Sequence, residues 1–216
     1  MGKRLSFLSE GMKMKVLSFK GGCFGANTYI VMDDKEENAL VIDPSAKPAE
    51  VLPTLTKKTV LRGIVLTHGH FDHIEALAEW KALSLPLCLA EKDEELLSSP
   101  AKNGSLFFGF SLSFPFKADR LLKDGETLTV GNEALTVMHT PGHTKGSIVL
   151  WGEDFVITGD TVFADGGYGR YDLYGGEKAA LADSLSRFFS RQGEYRIYAG
   201  HGREGRYTQE KQYRRM

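Results

Sequence analysis

The order of predicted elements places this chain in a mixed α and β class, α+β or α/β. Three observations carry that expectation. Strand-like stretches fall into two groups, and each group has helices. Polar landmarks stand at strand ends on glycine-containing turns, where an αβ sheet places its chemistry. The 216 residues, 42% hydrophobic and 25% charged, suffice for one full-sized core. Residues 1–13 read as an irregular lead and residues 14–216 as a single domain.

The first group of strands opens with Lys13 to Phe19, which alternates apolar and polar side chains. Gly21-Gly22 marks a turn. Asn27 to Met32 and Ala39 to Ile42 read as strands joined by the charged turn Asp33 to Asn38. Asp43-Pro44 ends the third strand. Pro48 to Lys58 reads as a helix with proline near its start, where a missing N–H costs little. Val60 to Leu66 is mostly apolar and β-branched, the signature of a buried strand. Ile74 to Trp80 has helical spacing, with Asp72 where an N-cap would stand. Leu85 to Ala90 reads as a strand and Glu91 to Ser98 as a short helix.

Residues 99–118 crowd Phe107, Phe108, Phe110, Phe114 and Phe116 into a stretch broken by Gly104, Gly109 and Pro115. Two readings stand: an apolar flap or dimer contact, or a loop folded over its own satellite core. The second is favoured. Beyond it, Glu126–Val130 and Glu133–His139 flank Gly131-Asn132, a two-residue hairpin signal. Strands follow at Ser147 to Trp151 and Phe155 to Thr158. A glycine-rich loop spans residues 160–176. Glu177 to Phe189 is helical, with Ala180, Leu181, Ser184, Leu185 and Phe188 on one face. Tyr195 to Ala199 is the last predicted strand. The basic tail, with Arg203, Arg206, Lys211, Arg214 and Arg215, reads as a solvated end.

Composition narrows the function. A net charge of −1 gives no global case for nucleic acid or membrane partners. No apolar run approaches the length of a bilayer span. The two cysteines, Cys23 and Cys88, form no metal-like pair, and a reduced cytoplasmic protein is the simplest expectation.

The chemistry concentrates at Thr67-His68-Gly69-His70-Phe71-Asp72-His73, on a turn from strand to helix. His68 and His70 are two apart, so in extended chain both rings face one way. Asp72 and His73 re-enter from the helix start. Packed this tightly, imidazoles and a carboxylate compete for the same space. A divalent cation resolves the competition, because it takes neutral imidazole nitrogens and ionised carboxylates as ligands. Three later turns present further candidates: His143 in Thr140-Pro141-Gly142-His143-Thr144, Asp160 in Thr158-Gly159-Asp160-Thr161, and His201 in Gly200-His201-Gly202. His139 is left over and reads as a hydrogen bonder behind the ligands or in the core. Gly200 to Gly205 fits a G-x-G-x-x-G pattern, but eleven residues leave no room for a dinucleotide-binding unit after it.

His-x-His-x-Asp-His after a buried strand, with these three later turns, resembles the signature of the metallo-β-lactamase superfamily. The resemblance implies a four-layer αβ/βα sandwich of two mixed sheets flanked by helices. It implies that His68, His70 and His143 hold one metal, that Asp72, His73 and His201 hold a second, and that Asp160 bridges. It also places Asp43-Pro44 in the loop beneath the metals; a plain strand-ending turn serves equally, and no ligand role follows. The expected cofactors are two divalent ions, zinc first, with iron or manganese as alternatives. Metals sharing Asp160 would lower the pKa of a water between them from about 15.7 toward 7, giving a hydroxide that attacks an ester, thioester, amide or phosphoester. Asp72 is the expected proton handler.

Gly169-Arg170-Tyr171-Asp172-Leu173-Tyr174 resembles the corresponding loop of glyoxalase II and its small bacterial relatives, where a basic residue at the Arg170 position contacts glutathione. Arg170 is thus a candidate carboxylate clamp, or a surface arginine pairing with Asp172 or Asp165. Fifteen residues follow His201, a length that fits the smaller glyoxalase II-like hydrolases. The expected activity is hydrolysis of a small thioester such as S-lactoylglutathione. The alternative is a persulfide dioxygenase with one iron on His68, His143 and Asp160; a non-catalytic metal-stabilised binding module is the remaining reading.

Overall fold

A computed structural model describes residues 14–208. The expected lead lies outside the described residues, as do Lys13 and the tail residues Lys211, Arg214 and Arg215. Strand period sets the architecture. In β1 (Lys15–Gly21), β2 (Ala26–Met32), β3 (Asn38–Ile42), β4 (Val60–Val65), β5 (Leu87–Ala90) and β6 (Arg120–Leu122), neighbours in sequence are neighbours in one sheet. The second sheet takes β7 (Thr127–Val130), β8 (Glu133–His139), β9 (Ile148–Trp151), β10 (Phe155–Gly159), β11 (Glu194–Ala199) and β12 (Gly205–Thr208), also in sequence order. Both sheets are mixed. β1, β2 and β3 pair antiparallel and β3 to β6 parallel, while β10 and β11 form the parallel pair of the second sheet.

Alternate residues of each central strand enter different cores. Tyr29 and Val31 meet Leu135, Val137, Leu150 and Ile157 between the sheets. Their neighbours Ile30 and Met32 face the opposite way, against Leu77 and Trp80 of α2 (Leu77–Lys81) and Val51 of α1 (Pro48–Val51). On the second sheet's outer face, Val149, Trp151 and Val156 meet Phe188 of α4 (Lys178–Phe189). The layers run helix, sheet, sheet, helix, an α+β sandwich of the expected αβ/βα kind. Each central strand is buried on both faces, which explains the nearly continuous apolar runs.

Some local expectations change. The helix from Pro48 becomes a 3₁₀ turn at Leu52–Thr54, where Pro53 ends the α-helical ladder. Asp72 is not a helix N-cap. It lies inside a 3₁₀ turn, Phe71–His73, while α2 begins at Leu77 after Ala76; its carboxylate points instead to His201. Glu91–Asp93 forms a 3₁₀ turn before a short α3 (Glu94–Leu97). Two strands escaped the pattern. β6 is three residues long and pairs on β5, and β12, read as basic tail, closes the second sheet's edge against β11. Charged edge strands carry little periodic signal.

Candidate metal centre

Strand direction brings the polar turns together. β8, β10 and β11 point the same way, because two antiparallel steps separate β8 from β10 and one parallel step joins β10 to β11. His143, Asp160 and His201, which follow these strands, therefore meet at one edge. In the other sheet β3, β4 and β5 run parallel, so Asp43, His68 and Asp93 follow them to one edge. The two edges are stitched together: Ile148 N–H donates to the Thr67 carbonyl at 2.8 Å and Asn27 N–H to the Gly200 carbonyl at 2.7 Å.

All seven predicted ligands converge. His143 Nε2 lies 2.8 Å from His70 Nδ1 and 3.2 Å from His68 Nε2. His201 Nε2 lies 3.1 Å from Asp72 Oδ2, which is 4.0 Å from His73 Nε2. One atom faces both sets: Asp160 Oδ2 is 3.6 Å from His143 Nε2 and 3.6 Å from His201 Nε2.

The partners behind the rings fix their tautomers. His143 Nδ1–H donates to the Arg170 carbonyl at 2.6 Å. His73 Nδ1–H donates to Asp43 Oδ2 at 2.9 Å. Thr67 O–H donates to Asp43 Oδ2, and its oxygen accepts from His68 Nδ1–H at 3.1 Å. The Nε2 atoms of His68 and His143 therefore carry lone pairs toward the centre. His68 Nε2 and His143 Nε2 stand in near contact with no proton to share. His73 Nε2 and Asp160 Oδ1 are buried without a hydrogen bond. Such lone pairs repel unless a cation lies among them, so the residues fit divalent metal ions.

Electrostatics agree with a cation site. Burial, then the neighbouring imidazoles, push His68 well below the ordinary histidine range. Burial and His143 bring His70 to about 3. Both rings are neutral at physiological pH, the form that binds metal. Burial opposes ionisation of Asp160, but the neighbouring histidines, His73 first, outweigh it and hold the carboxyl well below its usual range. For His73 burial is likewise outweighed, by the charges of Asp160 and Asp72 and the bonds to Asp160 and Asp43, and the ring is raised well above its ordinary value, so without a metal it holds the positive charge that an ion would replace.

Several residues left without a role position the ligands. Asp43 takes a left-handed backbone (φ +50°), which Asp tolerates better than most, and its carboxylate receives Thr67 N–H, Thr67 O–H and His73. Its Asp-Pro context was the signal. Asp93 is fully buried. Its Oδ1 accepts Gly146 N–H at 2.6 Å, and its Oδ2 accepts Gly69 N–H at 2.9 Å and Thr144 O–H at 2.7 Å. It thus ties the His68–His70 loop to the loop after His143. Nothing in Glu91-Lys92-Asp93-Glu94-Glu95 singles it out. Gly200 must lack a side chain, since a Cβ there would stand 2.1 Å from Asp160 Oδ1.

Arg170 holds His143 through its carbonyl. Its exposed guanidinium makes a two-bond pair with Asp172, at 2.7 and 2.8 Å, the surface pairing foreseen beside the clamp. His139 Nε2 faces the Leu122 carbonyl at 3.2 Å, tying β8 to β6, a hydrogen bonder in the body of the fold.

Fold and site together define an αβ/βα sandwich with a cluster of residues that could hold divalent metal on one edge. The family model described as the metallo-β-lactamase superfamily matches residues 21–201, and the chain belongs to that superfamily. The probable metallo-hydrolase YqgX of Bacillus subtilis is 32% identical over 189 residues, covering 85% of this chain and 88% of its own. The crystal structure of BLEG-1, a B3 metallo-β-lactamase, is 30% identical with a TM-score of 0.82, covering 89% of this chain and 94% of that one. The structure of TTHA1623 in a di-iron-bound form is 31% identical with a TM-score of 0.76, covering 93% and 98%. Among the described residues no helix is long and apolar enough to cross a membrane.

Proposed function

We propose that this protein is a two-metal hydrolase of small thioesters, of the glyoxalase II-like kind. The observation that carries it is the position of Asp160 Oδ2, equally far from a histidine of each ligand set. A site for one iron needs only His68, His143 and Asp160; the convergence of His70, Asp72, His73 and His201 favours two ions. The di-iron-bound form of TTHA1623, a similar chain, supports the same count.

His68, His70 and His143 would hold one ion, Asp72, His73 and His201 the other, and Asp160 both. Divalent ions there acidify water and polarise a carbonyl oxygen. Asp72 holds the proton that the attacking water gives up. The water oxygen bonds to the carbonyl carbon, the C–S bond breaks, and the thiolate leaves with that proton. Asp43 and the Arg170 carbonyl keep His73 and His143 in the tautomers that point Nε2 inward. Cys23 and Cys88, both free thiols, suit a reduced cytoplasmic setting, and zinc is the first expected metal.

The test is metal content of protein purified without added metal, with S-lactoylglutathione hydrolysis on the same sample. About two ions per chain with turnover is expected, and Asp160→Ala should lose both. Two ions without turnover on any thioester or ester would overturn the activity. One iron per chain, with oxygen uptake on glutathione persulfide, would move the assignment to the dioxygenase.

A further inference from the structure

The phenylalanine-rich segment divides in two. Phe114 is buried in the helix-side core, with Leu112 and Phe116 packed beside it. The other half turns outward. Phe107 is 70% exposed, the most exposed large apolar side chain among the described residues, and Phe110 and Phe24 are 40% and 45% exposed. These rings are not scattered. Phe24 lies 5.3 Å from Phe71 and 4.9 Å from Phe108, and Phe71 lies 5.3 Å from Phe108 and 5.8 Å from Phe110. Phe107 meets Phe108 edge-on at 5.1 Å. Arg170 links this cluster to the candidate metal centre: its carbonyl accepts from His143 Nδ1–H at 2.6 Å, and its guanidinium carbon lies 5.9 Å from the Phe107 ring.

Their exposure is built in. Gly104 (φ +85°) and Gly109 (φ +82°) bracket the 3₁₀ turn Ser105–Phe108 in conformations that suit glycine. Buried Asn103 donates to the carbonyls of Leu96 and Leu112, and Phe110 N–H donates to the Ser105 carbonyl. The turn is pinned at its base and cannot swing Phe107 into the core. The cation over these rings is Arg170, 5.9 Å from Phe107, and Asp172 already matches its charge. A neutral, apolar occupant suits such a surface.

We propose that Phe24, Phe107, Phe108 and Phe110 form an apolar wall that binds the acyl group of the substrate, so that the chain prefers medium-length aliphatic acyl thioesters to acetyl ones. The proposal rests on the hydrolase activity inferred above for the same site. Each methylene buried on an apolar surface is worth about fourfold. Hexanoyl adds four methylenes to acetyl, and a one-sided wall covering about two-fifths of their surface gives about a tenfold preference.

The experiment compares S-hexanoyl- and S-acetyl-N-acetylcysteamine as substrates of the zinc-loaded protein, and hexanoate with acetate as ligands by calorimetry. About tenfold higher kcat/KM for hexanoyl and about tenfold tighter binding of hexanoate are expected. Phe107→Ser with Phe110→Ser should bring both ratios toward one, and Leu83→Ser, which alters an exposed apolar residue outside this cluster, should leave them unchanged. Phe107→Ser alone keeps the test open if the double variant fails to fold. Ratios near one in the parent protein, or ratios unmoved by the phenylalanine variants, would overturn the wall. If neither thioester is turned over, the hydrolase activity fails, while the hexanoate and acetate comparison still decides the wall.

Discussion

Replacing Asp93 by Asn should loosen the three-histidine set without touching a ligand. The carboxylate is fully buried and accepts three hydrogen bonds, two from backbone N–H groups on different loops. Asparagine keeps the shape but offers one acceptor oxygen. Its NH2 must face either Gly146 N–H or the pair Gly69 N–H and Thr144 O–H, setting donor against donor. A buried donor left unpaired costs about 1–3 kcal/mol. The loss is offset in part because burial also pushes the Asp93 carboxyl up, so the ionised form is itself costly there. The loops that must shift carry His68, His70 and His143. Partners behind metal ligands typically account for about 10–100-fold in affinity, or about 1.4–2.8 kcal/mol at tenfold per 1.4 kcal/mol, which matches the hydrogen-bond cost. The assay is zinc titration against a competing chelator, with thermal unfolding of the metal-free variant alongside. One of two binding steps should weaken about 10–100-fold. If unfolding shifts while both steps stay at the parental values, Asp93 is only scaffold and the strut argument is wrong.

Three further outcomes are expected. Asp43→Asn retains a residue that tolerates the left-handed backbone but removes the charge facing His73 Nδ1 and sets an NH2 against one of its donors, so it should weaken the Asp72–His73–His201 set about 10–100-fold and lower Tm as well; parental zinc affinity in that variant would refute the role. Gly200→Ala places a Cβ 2.1 Å from Asp160 Oδ1 and 2.6 Å from His73 Cε1, so retained metal and kcat/KM should both fall at least about tenfold, and normal metal content would contradict the packing. Asp33 is nearly buried, and although burial pushes its carboxyl up, the Asn38 side chain and the N–H groups of Asn38 and Glu37 hold it below the ordinary value. As pH falls below about 4 the unfolded chain takes this proton first. The stability from Asp33 is therefore complete above that pH and is lost as pH falls through its lower folded value. Asp33→Asn should show a smaller change in urea midpoint between pH 6 and pH 3; an equal change in both proteins would show that Asp33 contributes nothing.

The candidate ligands were legible because a metal demands residue types that rarely crowd together otherwise. His68, His70, Asp72 and His73 declare themselves within six residues. His143, Asp160 and His201 were legible as polar residues on Gly-containing turns at strand ends, and the structure brings them together with the first four. The hairpin at Gly131-Asn132 was legible too, because Val130 pairs with Glu133 across a two-residue turn whose first position, Gly131 at φ +62°, suits glycine. Weak elements were not. β6 and β12 draw their stability from neighbours in the sheet rather than from a period of their own. The 3₁₀ turn at Phe71–His73 replaced a helix start because the Asp72 carboxylate is drawn to His201, which lies far along the chain.

The sequence by itself determined the mixed α and β class, through local period, and singled out the seven candidate ligands, through their residue types and the resemblance of their motifs to the superfamily's. Tertiary structure decided what stands behind and beside them. Asp43 and Asp93 act through hydrogen bonds to residues 24–53 positions away, and a lone aspartate in an acidic stretch looks the same whether it is solvated or buried. The phenylalanine segment is one run in sequence. Whether a ring enters the core or turns outward depends on the backbone turn at Gly104 and Gly109 and on the anchors of Asn103, which only the packed chain supplies.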